Sequence, residues 1–201
     1  PVQAVTTPAP LAAPAAAPLR AAPAPTAVPL APLAGTEVDG QLRTDAAGNL
    51  LINLGVRDYF DYFLSAADQA GLDASLGALL ADVRGRLAEP ARSQLVDLLG
   101  DYLEYKRASL ALMQQPLAPS QQQPQGQLAA LQDAFDRLAQ LRRTHFSAAA
   151  VEGLFGAEEA YARYTLDTLS LNARTDLSEA DKARAQAQAR EQLPAALQAS
   201  E

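Results

Sequence analysis

The chain is predicted to be mainly α-helical, and three observations predict it. Apolar residues recur at i, i+3, i+4 and i+7 through most of the sequence beyond residue 55, the period of helices with one buried stripe. Proline and glycine interrupt those stripes at short intervals, which favours a bundle of short-linked helices over one rod. Cysteine is absent and His145 is the single histidine, so disulfides, thiolate sites and multi-histidine metal sites are unavailable as staples. The expected architecture is a small three-helix bundle followed by extended helical segments. A short β-hairpin is expected before the bundle and a disordered Pro/Ala-rich arm at the N-terminus.

Residues 1–34 form that arm. Nine of the 14 prolines lie there among thirteen alanines, and Arg20 is its only charge. Proline at every third or fourth position blocks both helix and sheet ladder, leaving an extended spacer with polyproline II character. It reads either as a tail with no specific role or as a spacer holding a folded part away from a membrane, and the spacer is preferred. Residues 35–54 carry hairpin signals. Asp39-Gly40 marks a turn, and Asp45-Ala46-Ala47-Gly48-Asn49 reads as a loop before Leu50-Leu51-Ile52.

Residues 55–114 hold three amphipathic stripes. The first helix is expected over about 55–69. The second carries Leu72, Leu76, Leu79, Leu80, Val83 and Leu87, and Pro90 ends it near Glu89. The third begins at Pro90, which suits a first turn, and carries Leu95, Leu98, Leu99, Tyr102, Tyr105 or Lys106, Leu110 and Met113. A bundle of roughly 60 residues without staples is only marginally stable alone. Residues 115–126 are a Gln/Pro linker. Residues 127–201 then open an extended helical region. A helix from Gln127 carries Leu128, Leu131, Phe135, Leu138 and Leu141. Ser147 caps a short helix toward Phe155, another begins near Ala157, and a last one follows Ser178 and runs to Pro194. From Asp181 to Gln192 its only apolar side chains are alanines, so it buries little area by itself. With the chain stopping at Glu201, this region is expected to be the start of a longer arm.

The densest information lies in Arg57-Asp58-Tyr59-Phe60-Asp61-Tyr62-Phe63-Leu64-Ser65-Ala66. Four aromatics stand in ten residues of a chain that is 5% aromatic and lacks Trp. On a helical wheel Val56, Tyr59, Phe60, Phe63 and Leu64 form one apolar stripe. Arg57, Asp61 and Ser65 form a polar ladder beside it, and Tyr62 lies with Asp58 beyond the ladder. One reading is an ordinary amphipathic helix with a solvated ion pair. The other is an interface, since Tyr and Arg dominate binding hot spots. Arg57 before Asp61 is the weaker order for an i,i+4 pair, worth only a few tenths of a kcal/mol, so helix support explains the ladder poorly.

That decapeptide resembles the signature of the lipase-specific foldases, also called lipase chaperones or lipase modulators. It matches from Arg57 through Phe60, Asp61, Tyr62, Phe63, Leu64 and Ser65 to Ala66. Gly35-Thr36-Glu37-Val38-Asp39-Gly40 and Asp45-Ala46-Ala47-Gly48-Asn49-Leu50 resemble the segment preceding the signature. Glu89-Pro90-Ala91, Phe155-Gly156-Ala157-Glu158-Glu159 and Leu177-Ser178-Glu179 resemble later positions. The chain departs from the family at Asp68-Gln69, where a Gly-Glu pair is common. The resemblance implies a steric chaperone that binds a secreted bacterial lipase and promotes its active conformation. It implies partner binding by Arg57, Phe60, Asp61, Tyr62, Ser65 and Ala66, and no catalytic residue, cofactor or metal. It further implies a 1:1 complex of monomers at the periplasmic face of the inner membrane, with an N-terminal anchor lying before this chain.

Composition restricts the alternatives. Sixteen Lys and Arg against 23 Asp and Glu give a net charge of −7, which suits neither nucleic acid nor anionic membrane surfaces. No run of about 18 apolar residues is present to span a bilayer. His145, after Arg142 and Arg143, reads as a solvated residue at a helix C-terminus. Glu158 and Glu159 point apart on a helix and read as charges of a first helical turn. No phosphate loop, metal spacing or nucleophile elbow occurs. Enzymatic activity is therefore not expected. Two other classes stay open: a non-catalytic helical spacer or adapter of the bacterial envelope, and a hydrolase acting on an ester.

Overall fold

A computed structural model of the protein describes residues 30–123 and 126–198. Among the described residues eight α-helices follow one another: α1 (Leu54–Leu64), α2 (Ala67–Ala70), α3 (Leu72–Arg86), α4 (Ala91–Met113), α5 (Gln127–His145), α6 (Ala148–Ala173), α7 (Glu179–Glu191) and α8 (Ala195–Gln198), after a 3-10 turn at Ala31–Leu33. The mainly α class is as expected. The spacer expected over 1–34 lies, apart from its last residues, outside the described residues. No helix among the described residues is long and apolar enough to cross a membrane.

The core is one cluster built where α1, α3, α4 and the start of α6 meet. Val56, Tyr59, Phe60 and Phe63 enter it from α1, and Leu79 and Val83 from α3. Leu95, Leu98, Leu99, Tyr102 and Tyr105 enter from α4, and Ala150, Val151, Leu154 and Phe155 from α6. An aromatic chain runs through it. Phe60 meets Tyr102 at 5.3 Å between ring centroids, Tyr105 meets Phe155 at 5.2 Å, and Phe146 meets Phe155 at 5.6 Å. Each such contact adds about 0.5–1.5 kcal/mol beyond area burial. The expected bundle over 55–114 is thus not closed at residue 114. A marginal 60-residue core is completed by Phe146 and the first turns of α6.

The hairpin expected over 35–54 is reduced to a single antiparallel bridge between Thr44 and Leu50. The reason is local. Asp45 Oδ1 accepts from the backbone N–H groups of Ala47 and Asn49, closing the loop on itself. Gln94 of α4 then ties it down, accepting from Leu50 N at 2.7 Å and donating to Asn49 Oδ1 at 3.0 Å. The flanking backbone packs on helices instead of pairing. A Cβ on Gly40, whose φ is +81°, would lie 2.1 Å from the Gly55 carbonyl oxygen, and one on Gly153 would lie 2.4 Å from that of Ile52.

Helix boundaries otherwise follow the punctuation, with two differences. The first helix stops at Leu64 and resumes as α2. The two helices expected either side of Phe155 are one continuous α6 of 26 residues. Gly153 lies within it and serves close packing against Ile52. Ser147 caps α6 by accepting from Ala150 N, and Ser178 caps α7 by accepting from Asp181 N. Beyond Phe155 no residue of α6 is buried, and α7 buries none. The helix leaves the core there and continues as an arm on which α7 packs.

Candidate functional site

The signature decapeptide falls on α1 and the turn after it. The helical period divides it as the wheel predicts, but the core takes more of it than expected. Phe60 is 0% and Ala66 1% exposed. Neither has surface to offer a partner, so both leave the expected binding set as packing residues. Phe60 packs against the Tyr102 ring, with 5.3 Å between centroids.

Arg57 and Asp61 do not pair with each other. Each reaches another helix. Asp61 Oδ1 accepts from the Tyr102 hydroxyl at 2.9 Å and from Lys106 Nζ at 3.1 Å, both on α4. Burial, then the neighbouring Asp61 charge and hydrogen bond, push the Tyr102 phenol well above its usual range, so it stays a donor. Arg57 Nη1 donates to Glu158 Oε2 at 2.6 Å, on α6, and its guanidinium lies 5.5 Å from the Phe155 ring centroid. An i,i+4 pair on an exposed face gains little, whereas these contacts join elements 41 and 101 residues apart.

Glu158 is shared. Its other oxygen accepts from Arg142 Nη2 on α5. Arg142 is only 4% exposed; it also donates to the Tyr105 hydroxyl, pairs with Glu159 at 3.2 Å and stacks 4.2 Å over Phe155. Burial works to raise the Glu158 pKa. Hydrogen bonds and charge from Arg142 and Arg57 outweigh that and hold its carboxyl below the usual range. Arg143 completes the group by pairing with Glu159 at 3.2 Å. Reading Glu158 and Glu159 as first-turn charges is therefore corrected. They lie well inside α6 and clamp α5 and α1 to it. The sequence carries one sign of this, two adjacent arginines and two adjacent glutamates 16 residues apart, but nothing in it pairs Glu158 with Arg57.

What remains at the surface is a narrow strip. Ser65 is exposed and donates to the Tyr62 carbonyl at 2.7 Å. Tyr62 is half-buried. Its ring stands edge-on to Phe63 at 5.1 Å, and its hydroxyl shares a 2.8 Å hydrogen bond with Thr36 Oγ1. The expectation that it would stand clear of the core is thus corrected in part: the lead-in before α1 reaches over and fastens it. Burial and the nearby Asp39 charge raise the Asp58 carboxyl above its usual range. Together Asp58, Asp61, Tyr62 and Ser65 present a phenol edge among carboxylates and a hydroxyl, with their backbone held by a rigid core.

A helical core bearing this motif helix and continued by a long helical arm is the class that the geometry defines, and comparison with known proteins gives the family. The profile described as proteobacterial lipase chaperone protein matches residues 98–201. A lipase chaperone of Pseudomonas wisconsinensis is 68% identical over 170 residues, covering 84% of this chain and 48% of that protein. One from Ectopseudomonas mendocina is 38% identical over 164 residues, covering 82% of this chain and 47% of its own length. One from Acinetobacter venetianus is 32% identical over 171 residues, covering 83% and 47%. The chain belongs to the proteobacterial lipase chaperone family. It spans about half the length of the curated relatives it matches. The family profile starts after the decapeptide, but a contiguous match over 84% of the chain leaves too few residues at either end to miss 57–66.

Proposed function

We propose that this chain is the client-binding portion of a steric foldase for a secreted bacterial lipase, acting as a monomer in a 1:1 complex at the periplasmic face of the inner membrane. Family membership supports the client. The observation that carries the site is the surface strip of α1, Asp61, Tyr62 and Ser65 on a helix whose opposite face is locked into an aromatic core. Such a strip binds without ordering its own backbone, so less of its contact energy is lost on association. Arg57, Phe60 and Ala66 serve the site by holding it.

The mechanism is selective binding. A foldase accelerates conversion of a compact inactive lipase only by binding the barrier region, or the active form, more tightly than the trapped form. No bond is made or broken, so no catalytic group or cofactor is required. The arm of α6 and α7, which exposes Tyr161 and Leu169 on α6 and alanines among charged residues on α7, supplies further contact area along the client.

Refolding tests this. Denatured cognate lipase of the Pseudomonas wisconsinensis chaperone, diluted with and without this chain, recovers more ester-hydrolysing activity with it. A folded chain that leaves the recovered activity unchanged contradicts the proposal and favours a helical adapter role. Ester hydrolysis by the chain alone points to the hydrolase instead.

A further inference from the structure

We infer that Glu158 is a positioning residue that sets the angle at which the α6–α7 arm leaves the core, and that the signature arginine, Arg57, acts through it without touching the client. The inference rests on the foldase reading for its consequence in lipase activation, but not for its geometry.

The placement of the ion network carries it. On α6 the last buried residue is Phe155, and Glu158 and Glu159 follow within one turn, at the point where the helix leaves the core. Three helices converge there. Arg57 arrives from α1 and Arg142 from α5, and both guanidinium groups lie against the Phe155 ring, at 5.5 and 4.2 Å. Both of them bind Glu158, one on each oxygen. A carboxylate gripped from two sides by planar donors resists rotation of its helix more than a single contact does. Beyond the Phe155 ring α5 runs along α6, with Arg163 5.2 Å over the Phe135 ring and Gln132 donating to Ser170 at 3.1 Å, so the freedom left is rocking of the α5–α6 pair against α1. The network removes that freedom. With α7 packed along the far half of α6, a small change of angle at Glu158 moves the arm's end by many ångströms.

Arg57 itself has little to give a partner, since its side chain is 21% exposed and already paired at 2.6 Å. Its loss therefore reaches the client through the arm.

The test uses the absence of cysteine, which allows two spin labels at Glu104→Cys and Asp167→Cys, both exposed and on opposite sides of the joint. The parent gives a narrow distance distribution. Arg57→Ala and Glu158→Ala each broaden it, and the double variant broadens it no further. Binding to the cognate lipase of the Pseudomonas wisconsinensis chaperone follows the same cycle. Arg57→Ala weakens binding roughly fivefold, the order expected for a half-exposed ion pair, and costs nothing more once Glu158 is gone. Glu158→Gln, which keeps the side chain's shape but leaves one acceptor oxygen for two arginines, replaces Glu158→Ala if the latter does not melt cooperatively. An unchanged distance distribution in folded variants overturns the inference. So does an Arg57→Ala penalty in binding that is as large without Glu158 as with it. If the parent chain fails to bind lipase, the proposed function fails, while the spin-label cycle still decides the joint.

Discussion

Replacing Arg142 by alanine is the sharpest perturbation of this fold. The guanidinium is 4% exposed and has three kinds of partner. Its stacking on Phe155 at 4.2 Å contributes about 0.5–2 kcal/mol when desolvated. Its loss orphans the Tyr105 hydroxyl, a penalty of about 1 kcal/mol. It also breaks the pairs with Glu158 and Glu159. Breaking a fully buried pair costs about 3–5 kcal/mol, but Glu158 is half exposed and Glu159 keeps Arg143, so the surface range of about 0–1 kcal/mol is nearer for this part. The sum is about 1.5–4 kcal/mol. At about 2–4 °C per kcal/mol for a chain of this size, Tm falls by about 3–16 °C. Thermal and urea unfolding followed by circular dichroism measure it. Arg174→Ala is the control. Its pair with Asp176 is exposed, and its melting matches the parent's. An Arg142→Ala variant melting within 2 °C of the parent refutes the assignment of Arg142 as a structural hub.

Other outcomes follow from the same contacts. Gly153→Ala brings a Cβ to 2.4 Å from the Ile52 carbonyl oxygen, and the backbone shift costs about 1–3 kcal/mol, read by urea midpoint. Tyr62→Phe loses the hydrogen bond to Thr36 and destabilises by about 0.5–1.5 kcal/mol, whereas Tyr62→Ala also lowers lipase refolding yield. A Tyr62→Ala chain that stays folded and refolds lipase normally removes that residue from the site. Glu158 has a lowered pKa when folded, so the stability it contributes is present above its ordinary value of 4.5 and is lost as pH falls through the folded value. Tm measured downward from pH 5 therefore drops less steeply in Glu158→Gln than in the parent.

Much of the helical layout is legible in the sequence because its signals are local. Pro90 before α4, Ser147 before α6 and Ser178 before α7 start helices through backbone chemistry that needs no distant partner. Apolar periodicity also places Tyr59, Phe60 and Phe63 inward. It fails where small residues are buried. On α5 the buried positions are Ala130, Ala139 and Arg142, while Leu131, expected on the stripe, is 53% exposed. Alanines let α5 approach α4 and α6 closely, and a hydrophobicity pattern weighted to leucine misses that face. The site was half legible for a related reason. The wheel separates Tyr62 and Ser65 from the core stripe, but it cannot show Thr36 crossing over Tyr62. Nor can it pair Arg57 with a glutamate 101 residues away, because such contacts exist only once the tertiary fold does.

Site-specific photo-crosslinking from position 65 tests the central claim most directly. With a photoreactive residue at Ser65, beside Tyr62 on the outer strip of α1, the chain forms a covalent adduct with refolding lipase, and the same residue at Asp176 in the α6–α7 connection serves as a comparison for the arm. Adducts from position 65 that disappear with excess unlabelled chain are the predicted result. A folded chain that accelerates lipase recovery yet never crosslinks from position 65 contradicts the account.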